Sequence, residues 1–411
     1  MKSEISLAPN FVAALLSWYD ANRRELPRRH CAGGPHPDPY RVLVSEIMLQ
    51  QTTVAAVLPY FRRWMERYPT VRELAEADVE EVLRQWEGLG YYSRARNLHA
   101  TAREIWSRYG GVVPRDPADL KTLPGIGVYT AAAVASMAFG VRAPALDANN
   151  LRVWSRLLAS PDRRRMARVF SRVLPADRPG DFNQALMDMG TSVCTPRTPD
   201  CSACPLPAWC RALRMGLVDR FPEKSVRPGT ARVEAAVAIV LRPDGKVLVQ
   251  RRPEGGLLAG LWEFPGGKIK RAEGTGRRAQ IRPIIEPGGA EKKVDPRQRP
   301  GSPTPMHTTE TPEEAVVREV REETGLKIQG LEKLGVFNHA YTRFRVTLHV
   351  FLCKRKAGRV TNPSAKWVAR EELEGLAMPS VNRKIVKRLE EHLTAEDSEG
   401  NGGNPESKEK G

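Results

Sequence analysis

No stretch of this sequence approaches the ~18 consecutive apolar residues that a membrane-spanning helix needs. The opening residues, MKSEISLAPNFVAALL, also lack the basic-then-apolar pattern of a secretion signal. A cytosolic protein is therefore expected, nucleoid-associated if the source is bacterial. Internal repeats are absent as well, which leaves out solenoid and propeller arrays. Acidic residues are in deficit: 48 Asp and Glu against 65 Lys and Arg give a formal net charge of +17 and a pI near 9.8. The basic residues are spread along most of the chain. That distribution favours a polyanionic partner, because counterion release rewards dispersed cations; a merely basic surface is the alternative. Cysteine is scarce, with six in 411 residues. Four of them crowd between 194 and 210, while Cys31 and Cys353 stand alone. In a reducing compartment such crowding reads as a metal site rather than as disulfides.

At 411 residues the chain is longer than one hydrophobic core usually supports, so two domains are expected. From Phe11 to about Leu217 apolar residues recur every three or four positions, broken by punctuation such as GLGYY and LPGIG. This predicts an all-α first domain over 1–220. FPEKSVRPGTAR (221–232) reads as a linker. Beyond it, AAVAIVLR and KVLVQRR, joined by Pro-Asp-Gly, begin a β-rich pattern with one helix at 312–324, which predicts an α/β second domain over 233–393. The stretch 268–309, rich in Pro, Gly and Arg, reads as a disordered insertion, and 394–411 as a flexible tail.

Cys194, Cys201, Cys204 and Cys210 follow the pattern C-x6-C-x2-C-x5-C. Four thiolates at this spacing can converge on one [4Fe–4S] cluster. Zinc is the alternative, although zinc loops usually pair their cysteines in short C-x2-C knuckles. Upstream, Leu123-Pro-Gly-Ile-Gly-Val-Tyr-Thr-Ala131 has the form of a helix-hairpin-helix turn. There Gly125 and Gly127 would let the backbone turn tightly, so that amides at the next helix N-terminus face a DNA phosphate. An ordinary helix–helix turn reads the same way in isolation.

Together the hairpin and the cysteine spacing resemble the endonuclease III superfamily, and Val44-Ser-Glu-Ile-Met-Leu-Gln-Gln-Thr52 is similar to the motif of its MutY-type adenine glycosylases. The resemblance implies a base-excision-repair enzyme that removes adenine mispaired with 8-oxoguanine or guanine in double-stranded DNA, acting as a monomer. It makes Glu46 the general acid that protonates adenine, and Asp147 the carboxylate that stabilises the sugar cation, with Asn149 beside it. On residue type alone Glu46 could be a solvated helix glutamate and Asp147 an N-cap. Bifunctional relatives carry a Schiff-base lysine where this chain has Tyr129, so a monofunctional enzyme is implied. Leu49, Gln51 and Tyr91 match residues that probe or fill the duplex, and Gln184 matches a position near the adenine pocket. Where the family usually reads Leu-Pro-Trp-Arg, residues 26–29 here are Leu-Pro-Arg-Arg, followed by the short insertion CAGGPHPD. Ala148 stands where the family has glycine.

The second half resembles a Nudix domain. EFPGGK and, after the insertion, Arg318-Glu-Val-Arg-Glu-Glu-Thr-Gly-Leu326 form a split Nudix box. Glu319, Glu322 and Glu323 fall on one helix face, which implies a Mg²⁺ site; an acidic solvated helix is the alternative, and the Arg and Gly at their motif positions argue against it. In MutY-type proteins such a domain recognises 8-oxoguanine, and its recognition loop aligns with His339-Ala-Tyr-Thr-Arg343, giving roles to Tyr341 and Thr342. Phe337-Asn-His339 is a second alignment. Two other functions remain open: an enzyme that also hydrolyses oxidised nucleoside diphosphate derivatives, and a DNA-binding protein without catalysis.

Overall fold

The computed structural model describes residues 9–29, 31, 35–223, 231–253, 256, 258–270, 310–341 and 344–400. The chain forms two compact units. One comprises Met1–Gly229, Pro253–Leu261 and Gly375–Pro379, the other Thr230–Arg252, Trp262–Glu374 and Ser380–Gly411. The division does not follow a single cut at the expected linker, because Leu261 and Ala377 are buried in the core of the helical unit.

Among its described residues the first unit holds helices and no strand, as the periodicity predicts. Its helices are α1 (Pro9–Asn22), α2 (Pro39–Leu49), α3 (Val54–Arg67), α4 (Val71–Glu76), α5 (Val79–Gln85), α6 (Ser93–Tyr109), α7 (Pro117–Leu120), α8 (Val128–Phe139), α9 (Ala148–Leu158), α10 (Arg163–Val173), α11 (Pro179–Ser192) and α12 (Arg211–Arg214). Short polar side chains start many of them. Thr70 and Glu73 close a reciprocal capping box on α4, and Asp78 accepts from two amides of α5. Two cores result. Trp64, Tyr68 and Trp86 meet edge to face in the first, while Phe11, Trp154, Phe170 and Phe182 build the second, with Cys194, Cys204 and Cys210 at its rim.

The second unit is one mixed sheet, ordered β3-β2-β1-β6-β5, with β4 paired to β1 and β7 to β2. Its strands are β1 (Ala231–Leu241), β2 (Val247–Arg251), β3 (Trp262–Glu263), β4 (Gly266–Lys268), β5 (Lys327–Ala340), β6 (Phe344–Ala357) and β7 (Ala365–Val368). Strand β1 pairs in parallel with β6 over its whole length, from Ala231 opposite Phe344 to Leu241 opposite Lys354. Helix α13 (Pro312–Thr324) packs on this sheet. Thr311 and Glu314 box its start, Pro312 occupies its first turn, and left-handed Gly325 ends it, so its limits match the predicted 312–324 closely.

Three boundaries differ from expectation. β1 begins at Ala231, inside the predicted linker, because its pairing with β6 extends that far. Residues 268–270 belong to the fold and not to the insertion: Lys268 pairs with Ala235, Ile269 is buried, and Lys270 exchanges hydrogen bonds with Glu310 across the gap. Residues 271–309 lie outside the described residues. Part of the expected tail is helical, since α14 (Ser380–Gly400) continues through 394–400, a helix once nucleated being easily extended, and residues 401–411 lie outside the described residues. Among the described residues no helix is long and apolar enough to cross a membrane.

Candidate active site

Helix α2 begins where Asp38 accepts from the Arg41 amide and Pro39 fills its first turn. It carries Glu46 into the interior with 2% of its surface exposed, so the solvated-glutamate reading does not hold. A carboxylate that deep requires partners. Its Oε1 accepts from Arg28 Nη1 at 2.5 Å and its Oε2 from the Tyr129 hydroxyl at 2.7 Å. Tyr129 is the second residue of α8. Burial, then the carboxylates of Glu46 and Asp147, push its hydroxyl well above the ordinary value, so it is a neutral phenol.

Asp147 is the N-cap of α9, as its residue type allows: Oδ1 accepts from the Asn150 amide at 2.6 Å and Oδ2 from Asn149 Nδ2 at 3.0 Å. Burial raises its carboxyl above the ordinary range, the amide and Asn149 oppose this, and Glu46 adds to it. The cap and a site beside Glu46 are thus compatible. Asn149 is held in turn by Arg152, whose Nη2 reaches Asn149 Oδ1 at 2.9 Å while its Nε reaches the Cys194 carbonyl at 2.9 Å. Gln184 is buried on α11 and accepts from Arg29 Nε at 2.6 Å.

The duplex-probing candidates form a second group. Gln51 and Tyr91 both adopt left-handed backbone, φ 57° and 48°, a conformation that strains non-glycine residues by about 1–3 kcal/mol. Both are exposed, and Leu49 is half-buried. What holds the two loops is Arg94, whose sequence context gives no hint of this role. Buried on α6, it donates Nη1 to the carbonyls of Ile47, Met48 and Gln50 and Nη2 to those of Leu89 and Gly90. One guanidinium thereby ties the end of α2 to the Tyr91 loop.

In the hairpin turn, Gly125 has φ 72° and a Cβ there would meet Asn97 at 2.6 Å, so glycine is required. Gly127 is different. With φ −85° and open space where a Cβ would be, it is not needed for a tight turn. It caps α8 without a side chain, leaving the first amides of α8 uncovered beside exposed Gly127 and Val128.

Cys194, Cys201, Cys204 and Cys210 carry free thiols. Burial first, and then the neighbouring thiols, push Cys201, Cys204 and Cys210 upward, Cys204 to about 11. Arg156 Nη1 points at Cys194 Sγ at 3.2 Å and the Leu206 amide at Cys204 Sγ at 3.4 Å. Among the described residues no three His, Cys, Asp or Glu side chains are arranged to hold a single ion. Four thiols within one another's fields, two of them facing N–H donors, suit a thiolate-ligated cluster whose positive charge would offset their burial.

In the second unit the Mg²⁺ expectation finds no support. Arg318 engages both Glu319, at 2.7 Å, and Glu322, at 3.1 Å, while Glu323 accepts from the Gly266 amide and Gln250. These donors on the protein divide the three carboxylates. Tyr341 stands between His339 and Phe344, with ring centroids 4.5 and 4.8 Å away. Thr342 and Arg343 lie outside the described residues.

Comparison with known proteins agrees with this two-unit plan. Residues 44–175 match the HhH-GPD superfamily of base excision DNA repair proteins, and residues 236–301 and 297–388 match the NUDIX domain. The chain is similar to the adenine DNA glycosylase of Rattus norvegicus, 32% identical over 95% of this chain and 80% of the relative. That of Homo sapiens is 32% identical over 92% and 73%. That of Mycolicibacterium smegmatis is 46% identical over 57% and 78%.

Proposed function

The chain belongs to the adenine DNA glycosylase family and is a base-excision-repair glycosylase, and from that premise we propose that it excises adenine opposite 8-oxoguanine or guanine in double-stranded DNA, with Glu46 and Asp147 as its two working carboxylates. The observation that carries this reading is the buried Glu46, held from both oxygens, with the Asp147 carboxyl near enough to feel its charge. Glu46 gives a proton to a ring nitrogen of adenine such as N7 while the C1′–N9 bond breaks and its electron pair leaves with the base. Asp147, on the side of the sugar, offsets the positive charge that develops at C1′, and Asn149 keeps its carboxylate oriented. A water then adds hydroxide to C1′ and returns its proton to Glu46, leaving an abasic site.

Tyr129 offers no amine to the sugar, which supports a monofunctional reaction without strand cleavage. Gln51, Tyr91 and Leu49 would fill the gap left by the extruded base, and the open N-terminus of α8 would take a backbone phosphate. Gln184, held by Arg29, would edge the base pocket. Cys194, Cys201, Cys204 and Cys210 would hold a [4Fe–4S] cluster, whose contribution is to fold the loop rather than to react. For the second unit, the aromatic set around Tyr341 supports recognition of 8-oxoguanine by stacking. The test is release of adenine by the full chain from duplexes with adenine opposite 8-oxoguanine, guanine or thymine. Preferential release opposite 8-oxoguanine, with alkali-dependent strand breaks, is expected; equal release from all three, or breaks without alkali, would overturn the reading.

A further inference from the structure

Arg28 and Arg29 are neighbours in a 3-10 turn, Pro27–Arg29, yet they have separate partners. Arg29 is committed to Asp188 and Gln184. Arg28, 5% exposed, ends on Glu46 Oε1 at 2.5 Å and on Ser45 Oγ at 3.3 Å, and its own Nε is buried without an acceptor. A buried donor left without an acceptor is unfavourable. The guanidinium is therefore placed for the carboxylate rather than for its own hydrogen bonding. By resemblance, the residue occupies a position where the family usually has tryptophan.

The consequence follows from donor and acceptor chemistry. A guanidinium has donors and no acceptor, and it does not deprotonate, so a proton placed on Oε1 would face another donor. The Tyr129 hydroxyl on Oε2 can either donate or accept. We infer that Arg28 is a positioning residue for the reaction: it locks Glu46 Oε1 as an acceptor and confines the transferable proton to Oε2, beside the Tyr129 hydroxyl. With Glu46 ionised, Tyr129 donates to Oε2; with Glu46 protonated, the hydroxyl turns to accept, and the proton leaves Oε2 for the base nitrogen as the C1′–N9 pair departs. The groups facing Glu46 are then Arg28 from the 3-10 turn, Tyr129 from α8 and Asp147 from the cap of α9. Arg28 is the cation among these three.

This inference rests on Glu46 being the proton donor. Single-turnover adenine release is measured across pH for the full chain and for Arg28→Met and Arg28→Lys, alongside melting and duplex binding. A general acid works while protonated, so the rate falls as pH rises. Removing the cation in Arg28→Met should move the midpoint of that fall upward, and Arg28→Lys should restore the wild-type midpoint. A structural role would lower the rate or the melting temperature without moving the midpoint. An unmoved midpoint in Arg28→Met, or one that Arg28→Lys fails to restore, overturns the inference. If Arg28→Met does not fold, Arg28→Lys is measured with Tyr129→Phe: the inference expects Tyr129→Phe to shift the midpoint and Arg28→Lys to leave it, and the reverse contradicts it. Absence of any release by the wild-type chain would instead sink the functional reading itself.

Discussion

Replacing Asp188 by asparagine removes the charge that anchors the 3-10 turn Pro27–Arg29. The Asp188 side chain is 2% exposed and takes Arg24 Nη2 at 2.5 Å and Arg29 Nη1 at 2.8 Å. In Asp188→Asn two guanidinia remain around a neutral amide. Breaking a buried ion pair costs about 3–5 kcal/mol. Arg24, with 36% of its side chain exposed, can turn to water, so the lower figure of about 3 kcal/mol applies. For a unit of this size that corresponds to a fall in Tm of about 6–12 °C. The pH dependence follows from the same contacts. Burial works to raise the Asp188 carboxyl, but Arg29 and Arg24 outweigh it and hold it below its ordinary value of 3.8. A carboxyl lowered by folding contributes stability that is present above its unfolded value and lost as pH falls through the folded one. The gap between wild type and Asp188→Asn should therefore be constant from neutral pH to about pH 4 and close below that. Thermal melts followed by circular dichroism between pH 7 and pH 3 measure both quantities. A gap under about 3 °C at neutral pH, or one that persists in acid, would refute the ion-pair account.

Tyr129→Phe deletes the hydroxyl on Glu46 Oε2 and should slow single-turnover adenine release about tenfold or more while the fold is kept; an unchanged rate would remove Tyr129 from the site. Cys204→Ser should abolish iron binding, read by metal analysis and visible absorbance, and lower the Tm of the purified chain. Full iron occupancy in that variant would exclude Cys204 as a ligand. Tyr341→Ala should reduce the preference for 8-oxoguanine over guanine, measured as the ratio of release rates, more than it reduces release opposite guanine itself. Equal losses on both substrates would point to a general structural role.

The elements whose signals are local were legible in the sequence. α13 begins at a Thr-Pro-x-Glu box and ends at Gly325, and both signals sit within a few residues of the backbone they terminate. The spacing of the four cysteines pointed to a thiolate-ligated cluster, and the α2 motif was read from its resemblance to a glycosylase family. The arginines did not. Arg28, Arg94 and Arg152 look like surface charges when read along the chain, yet each is buried, and their partners lie on other elements: a carboxylate on α2, carbonyls of two loops, and the Cys194 carbonyl. Such long-range pairing has no periodicity to reveal it. Gly127 erred the other way, since a glycine in a turn motif invites a conformational reason that its φ of −85° does not bear out. The boundaries at Ala231 and Lys268 moved because strand pairing, rather than local composition, decides where a strand stops.

The proton-donor role of Glu46 is tested most directly by Glu46→Gln, which keeps the shape of the side chain and removes the transferable proton. Single-turnover release of adenine opposite 8-oxoguanine is measured together with affinity for the same duplex carrying a non-cleavable adenine analogue. Loss of about 10²–10⁴-fold in rate with affinity largely kept is the predicted result. Release at a near wild-type rate, from a variant that still binds, would contradict it.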